Sequence, residues 1–342
     1  VSGRARMVLV AGASAAVLAA TIAFGVTAWA DRREADSNLG TADTAGLGTW
    51  AGGDRIVFRT TESGRAYGHV ASVPIDAPDG ARLTSGDVCD RLDATVARLS
   101  CLRIVRGVVP SYTATVSDAA GETAAEWPLP GIPSRTRFSP SGELVAETSF
   151  VSGHSYAAVG FSTATVISRV DGTSLGNLEE WSLTRDGAAV AAADRNFWGV
   201  TFVDDRTFYA TVGMTLTGTT WLVRGDIDAR SMTMLAENVE CPSVSPDGRS
   251  IAFKRVTGDD PAGPHWTPAI YDVATGAVRV LPEERGIDDQ IEWLDDDTIL
   301  YGMPRAQTRG DSDVWALEVD GSSDPRILIE HAWSPAVVGR DE

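Results

Sequence analysis

From residue 50 onward, apolar residues come in short alternating runs, and each run stops at a cluster of Asp, Gly, Ser or Pro. That pattern predicts half-buried strands joined by tight turns. One phrase recurs: an apolar strand, a turn, a second apolar strand. It reads Ser243-Val-Ser-Pro-Asp-Gly-Arg-Ser-Ile-Ala-Phe-Lys254, and again Glu292-Trp-Leu-Asp-Asp-Asp-Thr-Ile-Leu-Tyr301. Further copies are Phe138-Ser-Pro-Ser-Gly-Glu-Leu-Val-Ala146 and Phe202-Val-Asp-Asp-Arg-Thr-Phe-Tyr209. Gly53-Asp-Arg-Ile-Val-Phe58 keeps the turn and second strand, and a degenerate copy surrounds Asp93-Ala-Thr-Val-Ala-Arg98. The turns fall near 53, 95, 142, 205, 248 and 297, so successive spacings are 42, 47, 63, 43 and 49 residues.

A four-stranded propeller blade takes ~40–45 residues. The long step holds Trp181-Ser-Leu-Thr-Arg-Asp-Gly-Ala-Ala-Val190, read as an extra hairpin and not as a seventh blade. In the last unit, Asp313–Val319 and Pro325–Ile329 supply third and fourth strands around Asp320-Gly321. Ala269–Val273 and Val278–Leu281 repeat that plan one unit earlier. The final apolar run, Trp333–Val338, is a first strand with no hairpin after it and is expected to return to Ile56–Phe58 and close a ring. The expected fold is therefore all-β, a six-bladed β-propeller over residues 49–340. A β-sandwich is the competing architecture.

Met7–Ala30 carries no charge and is long enough for a transmembrane helix, which needs ~20 apolar residues. Residues 1–30 are thus a transmembrane helix or signal segment, and 31–48 a flexible tether. Retention is favoured because the stretch exceeds a signal peptide's apolar region; cleavage is the alternative, at the small-x-small triplet Ala28-Trp29-Ala30. Either way the propeller is expected outside the cytoplasm, membrane-tethered by a single pass or secreted.

Cys241-Pro-Ser-Val-Ser-Pro-Asp-Gly-Arg-Ser-Ile-Ala-Phe-Lys254 resembles the repeat of TolB-like (PD40, WD40-like) six-bladed propellers. Asn196–Phe202 and Asp288–Leu294 resemble the subgroup of high-GC bacteria that carries an N-terminal membrane segment. The resemblance spans roughly residues 50–340 and implies a partner-binding scaffold of the cell envelope.

Charge narrows the partners. Every acidic residue lies after residue 30, where 47 acidic face 27 basic side chains. A net charge of −20 there repels phosphate backbones and anionic lipid, which disfavours nucleic acid and a lipid surface as partners and favours cations, basic peptides or neutral glycans. Cys89 and Cys101 flank the turn at 95, where opposed antiparallel strands bring Cα atoms within disulfide range, so they are expected to be bonded. Cys241 is expected as a buried free thiol.

No zinc spacing, Walker, nucleophile-elbow or dinucleotide motif occurs, so no catalytic residue and no cofactor is assigned. The pairs Asp204-Asp205, Asp259-Asp260 and Asp295-Asp296-Asp297 read as turn formers. Trp50, Trp181, Trp293 and Trp333 read as inner-strand packing residues. The loops entering the inner strands converge on one mouth of a propeller channel. They offer Asp194, Asn196, Trp198, Asn238, Glu240, Asp288, Asp289, Gln290 and His331, a polar and negative funnel for a cation or basic peptide. The function expected is non-enzymatic binding of a protein, peptide or glycan; the alternative is a glycan-acting hydrolase or lyase using carboxylates at the channel. A pair of buried acids facing each other across that channel would favour the enzyme.

Overall fold

The computed structural model describes residues 53–151, 162–260 and 263–339, with five isolated helical positions ahead of them, Ser14, Val17, Thr21, Gly25 and Thr27. Among the described residues no helix is long and apolar enough to cross a membrane. Apart from those five positions, the membrane segment and tether expected over 1–48 lie outside the described residues, as does Trp50.

Six sheets, antiparallel but for one added edge strand, follow one another along the described residues. Blade 1 has Arg55–Thr60, His69–Pro74 and Leu83–Val88; its innermost strand is the chain's last, Ala332–Val338. Val338 pairs with Arg55 and Val337 with Ile56, which is the expected closure. Blades 2 to 6 begin with the inner strands Arg91–Ala94, Ile132–Phe138, Arg195–Phe202, Glu240–Val244 and Glu292–Trp293. The extra hairpin is present: Ser182–Arg185 and Ala188–Ala189 pair with each other, and the former adds in parallel to Ser231–Glu237 at the outer edge of blade 4. Trp181 opens this hairpin and packs 5.8 Å from the Phe208 ring, so it is not on an inner strand.

Strands buried on both faces need apolar residues at consecutive positions, and period two then assigns each to one neighbour. Ile56 and Phe58 pack with Leu300 and Val314 of blade 6, while Val57 between them packs with Leu92 and Leu99 of blade 2. Tyr209 and Leu222 meet Ile251 and Phe253 where blades 4 and 5 join. The seam between blades 2 and 3 is thinner, with Val116, Phe138 and Val145 as its buried apolar residues. Polar groups fill the rest of it: Ser100 and Thr136 hydroxyls lie 2.7 Å apart, and Glu147 is buried beside Trp127.

Cys89 and Cys101 are bonded, with Cα atoms 5.3 Å apart. The register differs from the expected one: Leu92, not Cys89, lies opposite Cys101. Cys89 follows the outermost strand of blade 1, its N–H donating to Gly68 O, so the bond ties the crossover from blade 1 to the second strand of blade 2. Cys241 is free and buried, as expected. Asp259 and Asp260 are not turn residues; they end the long strand Ser250–Asp260.

Candidate functional site

The inner strands run side by side around the channel, from an entry mouth where they begin to a turn mouth where they meet their hairpins. Several are interrupted at the same depth. The register slips after Pro133, Trp198, Glu240 and Trp333, and Gly199, Cys241 and Ser334 take positive φ there. Such bulges re-aim side chains. Gly199 also needs its missing Cβ, which would stand 2.7 Å from Cys241 Cα.

The nine residues expected to form the entry funnel divide into two groups. Asp194, Asn196, Trp198, Asn238 and His331 hold the fold together. Asp194 accepts from Leu216 N at 2.7 Å. Asn196 Oδ1 accepts from Thr163 N at 3.1 Å, joining blades 3 and 4. Trp198 lies flush on Gly213, where a Cβ would meet its ring at 2.4 Å. Asn238 exchanges two 2.9 Å hydrogen bonds with the Val256 backbone. His331 contacts Asp311 through Nδ1 at 2.8 Å.

Glu240, Asp288, Asp289 and Gln290 do reach the channel, but cations meet them there. Lys254, the sequence's one lysine, is buried and donates to Asp288 Oδ1 at 2.7 Å, with its Nζ 4.6 Å from the Trp266 ring centre. Arg91 donates to Asp289 Oδ1 at 3.3 Å, and Gly302 N donates to Asp289 Oδ2 at 3.0 Å. Arg135 is buried next to Cys241, Asp289 and Asp288. The entry mouth is therefore a mixed-charge lattice, in which cations accompany the carboxylates expected there. Burial pushes the carboxyls of Glu240 and Asp289 above their ordinary range, against the pull of Lys254 on the first and Arg91 on the second.

Arg137 crosses the channel from blade 3 to blade 6. Its Nη1 donates to Glu292 Oε2 at 2.5 Å and its Nη2 to Ile291 O at 3.0 Å. With the Gln290 amide oxygen turned inward, that oxygen accepts from Arg137 Nε at 2.7 Å. Beyond this bar the turn mouth opens into a cavity of about 820 Å³. Residues 93–95, 137–140, 201–203, 244–248 and 292–296 line it, with Val337 and Gly339, so all six blades contribute. On its floor Asp93 accepts from Phe138 N at 2.6 Å. Burial raises the Asp93 and Glu292 carboxyls; Arg137 opposes the rise in both, and the Asp93 charge adds to it at Glu292. Among the described residues no three His, Cys, Asp or Glu side chains converge as metal ligands.

The missed residues, Arg91, Arg135, Arg137 and Lys254, left one signal in the sequence. Arg91-x-Asp93 and Arg135-x-Arg137 place charges at alternate positions of two short strands. On an innermost strand those positions have the channel to face.

The fold is a TolB-like six-bladed β-propeller. TolB from Acinetobacter baumannii superposes with a TM-score of 0.57 at 16% identity over 84% of this chain and 67% of that one. A puromycin-hydrolyzing peptidase from Mycobacterium tuberculosis gives 0.49 at 12% identity, over 81% of this chain and 45% of its own. An oligogalacturonate lyase in complex with manganese gives 0.48 at 11% identity, over 73% and 71%. No protein-family model and no curated protein matches the sequence.

Proposed function

We propose that this chain is a non-enzymatic, extracytoplasmic propeller of the cell envelope that holds a protein partner at the turn mouth of its channel. The observation that carries the reading is the cavity of about 820 Å³ walled by all six blades. Asp247, Asp295 and Asp296 stand on its rim and Arg137 is tied up on its floor, so an extended basic segment suits it. TolB's own likeness extends to the fold, and the scaffold role is carried over here as part of the proposal. In cells, a photo-crosslinker at position 248 should capture a partner, and one at 288 should not. Replacing Asp247, Asp295 and Asp296 together by Asn should cut that capture about tenfold, since each desolvated rim charge contributes a fraction of a kcal/mol. Capture that ignores the rim charges, or that occurs equally from 288, overturns it.

A second reading, a glycan-acting hydrolase or lyase, is favoured by the buried Asp93 and Glu292 on the same floor. Screening wild type and Glu292→Gln against cell-wall glycans tests it: turnover that the substitution abolishes supports the enzyme, and no turnover removes it.

A further inference from the structure

The entry mouth holds a second, smaller cavity, of about 270 Å³, whose chemistry is the reverse of the turn mouth's. Arg59, Arg91, Thr61, Ser312 and Trp333 line it, with Asp90 as its acid. Asp90 is engaged elsewhere: its Oδ2 accepts from Ile104 N at 2.7 Å, and its Oδ1 lies 3.8 Å from Arg106. Arg91 stacks near the Trp333 ring, 5.4 Å from its centre, and Arg135 lies behind it, each guanidinium within the other's field. Four cations, Arg59, Arg91, Arg135 and Lys254, thus meet four carboxylates, Asp90, Glu240, Asp288 and Asp289. Arg91 is paired to Asp289 and Lys254 to Asp288, which leaves Arg59 and Arg135 without an ion-pair partner among the described residues.

Arg135 is 9% exposed; its Nη1 reaches the adjacent Ser134 carbonyl, and its buried Nε has no hydrogen-bond partner. A buried guanidinium with an unmet donor is costly; Arg135 stands behind the cavity lining and bears on it through its charge. The guanidinium fork matches the two oxygens of a carboxylate. Arg59 is placed to present such a fork, since it uses Nε on Cys89 O at 2.9 Å and lies over the Tyr67 ring at 4.6 Å. The cavity is too small for a drug-sized ligand, which takes roughly 300–1,000 Å³, and has room for one head group.

We propose that the entry mouth is an oxyanion site that takes a single carboxylate on Arg59 and Arg91, with Arg135 behind them neutralising it. Two sources present that group: a free small carboxylic acid, or an acidic residue of a polypeptide entering the mouth. The site is independent of the partner surface at the turn mouth.

Calorimetric titration at constant low ionic strength tests it, with succinate, the uncharged succinamide, and an end-blocked hexapeptide of glutamate as probes. At least one of the two carboxylate probes should bind saturably and succinamide should not. Arg59→Gln, a partly exposed position, should weaken that binding about tenfold or more, the loss expected for one charge-assisted hydrogen bond. The triple Asn variant at 247, 295 and 296 should leave it unchanged, which separates this site from the turn mouth. A peptide that binds more than about tenfold tighter than succinate identifies a polypeptide source; comparable or tighter succinate binding identifies a free acid. Absence of saturable heat with both carboxylates, equal binding of succinamide, or an unchanged Arg59→Gln variant overturns the proposal.

Discussion

Glu147 sits on the second strand of blade 3, 3% exposed, with one carboxyl oxygen that meets no donor. Burial lifts its carboxyl from 4.5 to about 8, and the Trp127 ring N–H offsets only part of that. The sign of the linkage follows. Below pH 4.5 both folded and unfolded chains carry the proton and the group is neutral to stability. Above it the unfolded chain ionises first, so stability falls until the folded group also ionises near pH 8, then levels off. The loss is on the order of 4 kcal/mol across that window. Glu147→Gln should therefore be nearly silent at pH 4.5 and should raise the denaturation midpoint progressively up to pH 8. Urea unfolding at four pH values between these limits reads this, and a pH-independent difference would show that Glu147 is not held protonated. At the same scale, Gly199→Ala puts a Cβ 2.7 Å from Cys241 Cα on a backbone with φ +65°. It should cost several kcal/mol, in the manner of overpacking plus strain; an unchanged melting temperature would refute the close approach.

Between elements, the disulfide fixes where blade 1 hands over to blade 2. The seam there is apolar, with Val57, Val70, Leu92 and Leu99 packed around the bridged cysteines. Closing a loop with sequence separation 12 restricts the unfolded chain, so replacing both cysteines by Ser should cost about 2–4 kcal/mol. Reduction of the wild type should lower its unfolding midpoint to that of the double variant, and a wild type indifferent to reductant would contradict this. Strand phrases such as Ser243–Lys254 made the blades legible, because turn residues and period-two burial are local. The cysteine pairing was legible too, but the register was not: turn position alone could not show that Leu92 opposes Cys101. The bulges at Gly199, Cys241 and Ser334 were hidden for a related reason, since a register slip depends on the partner strand. At the entry mouth the reading found Asp288, Asp289 and Gln290 from one loop. It missed the cations that meet them because Arg91, Arg135 and Lys254 come from blades 2, 3 and 5, and a single strand does not state which strand lies across a channel.

At the scale of the whole ring, closure depends on one strand contributed by the far end of the chain. Ala332–Val338 covers the inner edge of Arg55–Thr60 and buries Ala332, Ala336 and Val338 against blades 1, 2 and 6. Trp333 and Asp289 both press on Gly302, where a Cβ would come within 2.5 Å and 2.6 Å of them, so the closing strand also carries part of the channel wall. Deleting residues 331–342 should leave a row of unpaired N–H and C=O groups on blade 1 and uncover apolar surface on three blades, conditions that favour edge-to-edge association. We expect the truncated chain to unfold at lower temperature in a broader transition and to oligomerise with concentration. A synthetic peptide of residues 331–339, added in trans, should restore part of the lost midpoint by occupying the vacant edge, because a ligand that binds the folded state alone stabilises it by mass action. Scanning calorimetry with analytical ultracentrifugation reads both effects. A truncated chain that melts sharply at the wild-type temperature would mean that the ion pairs across the channel, Arg137 to Glu292 and Arg91 to Asp289, hold the ring shut without the strand.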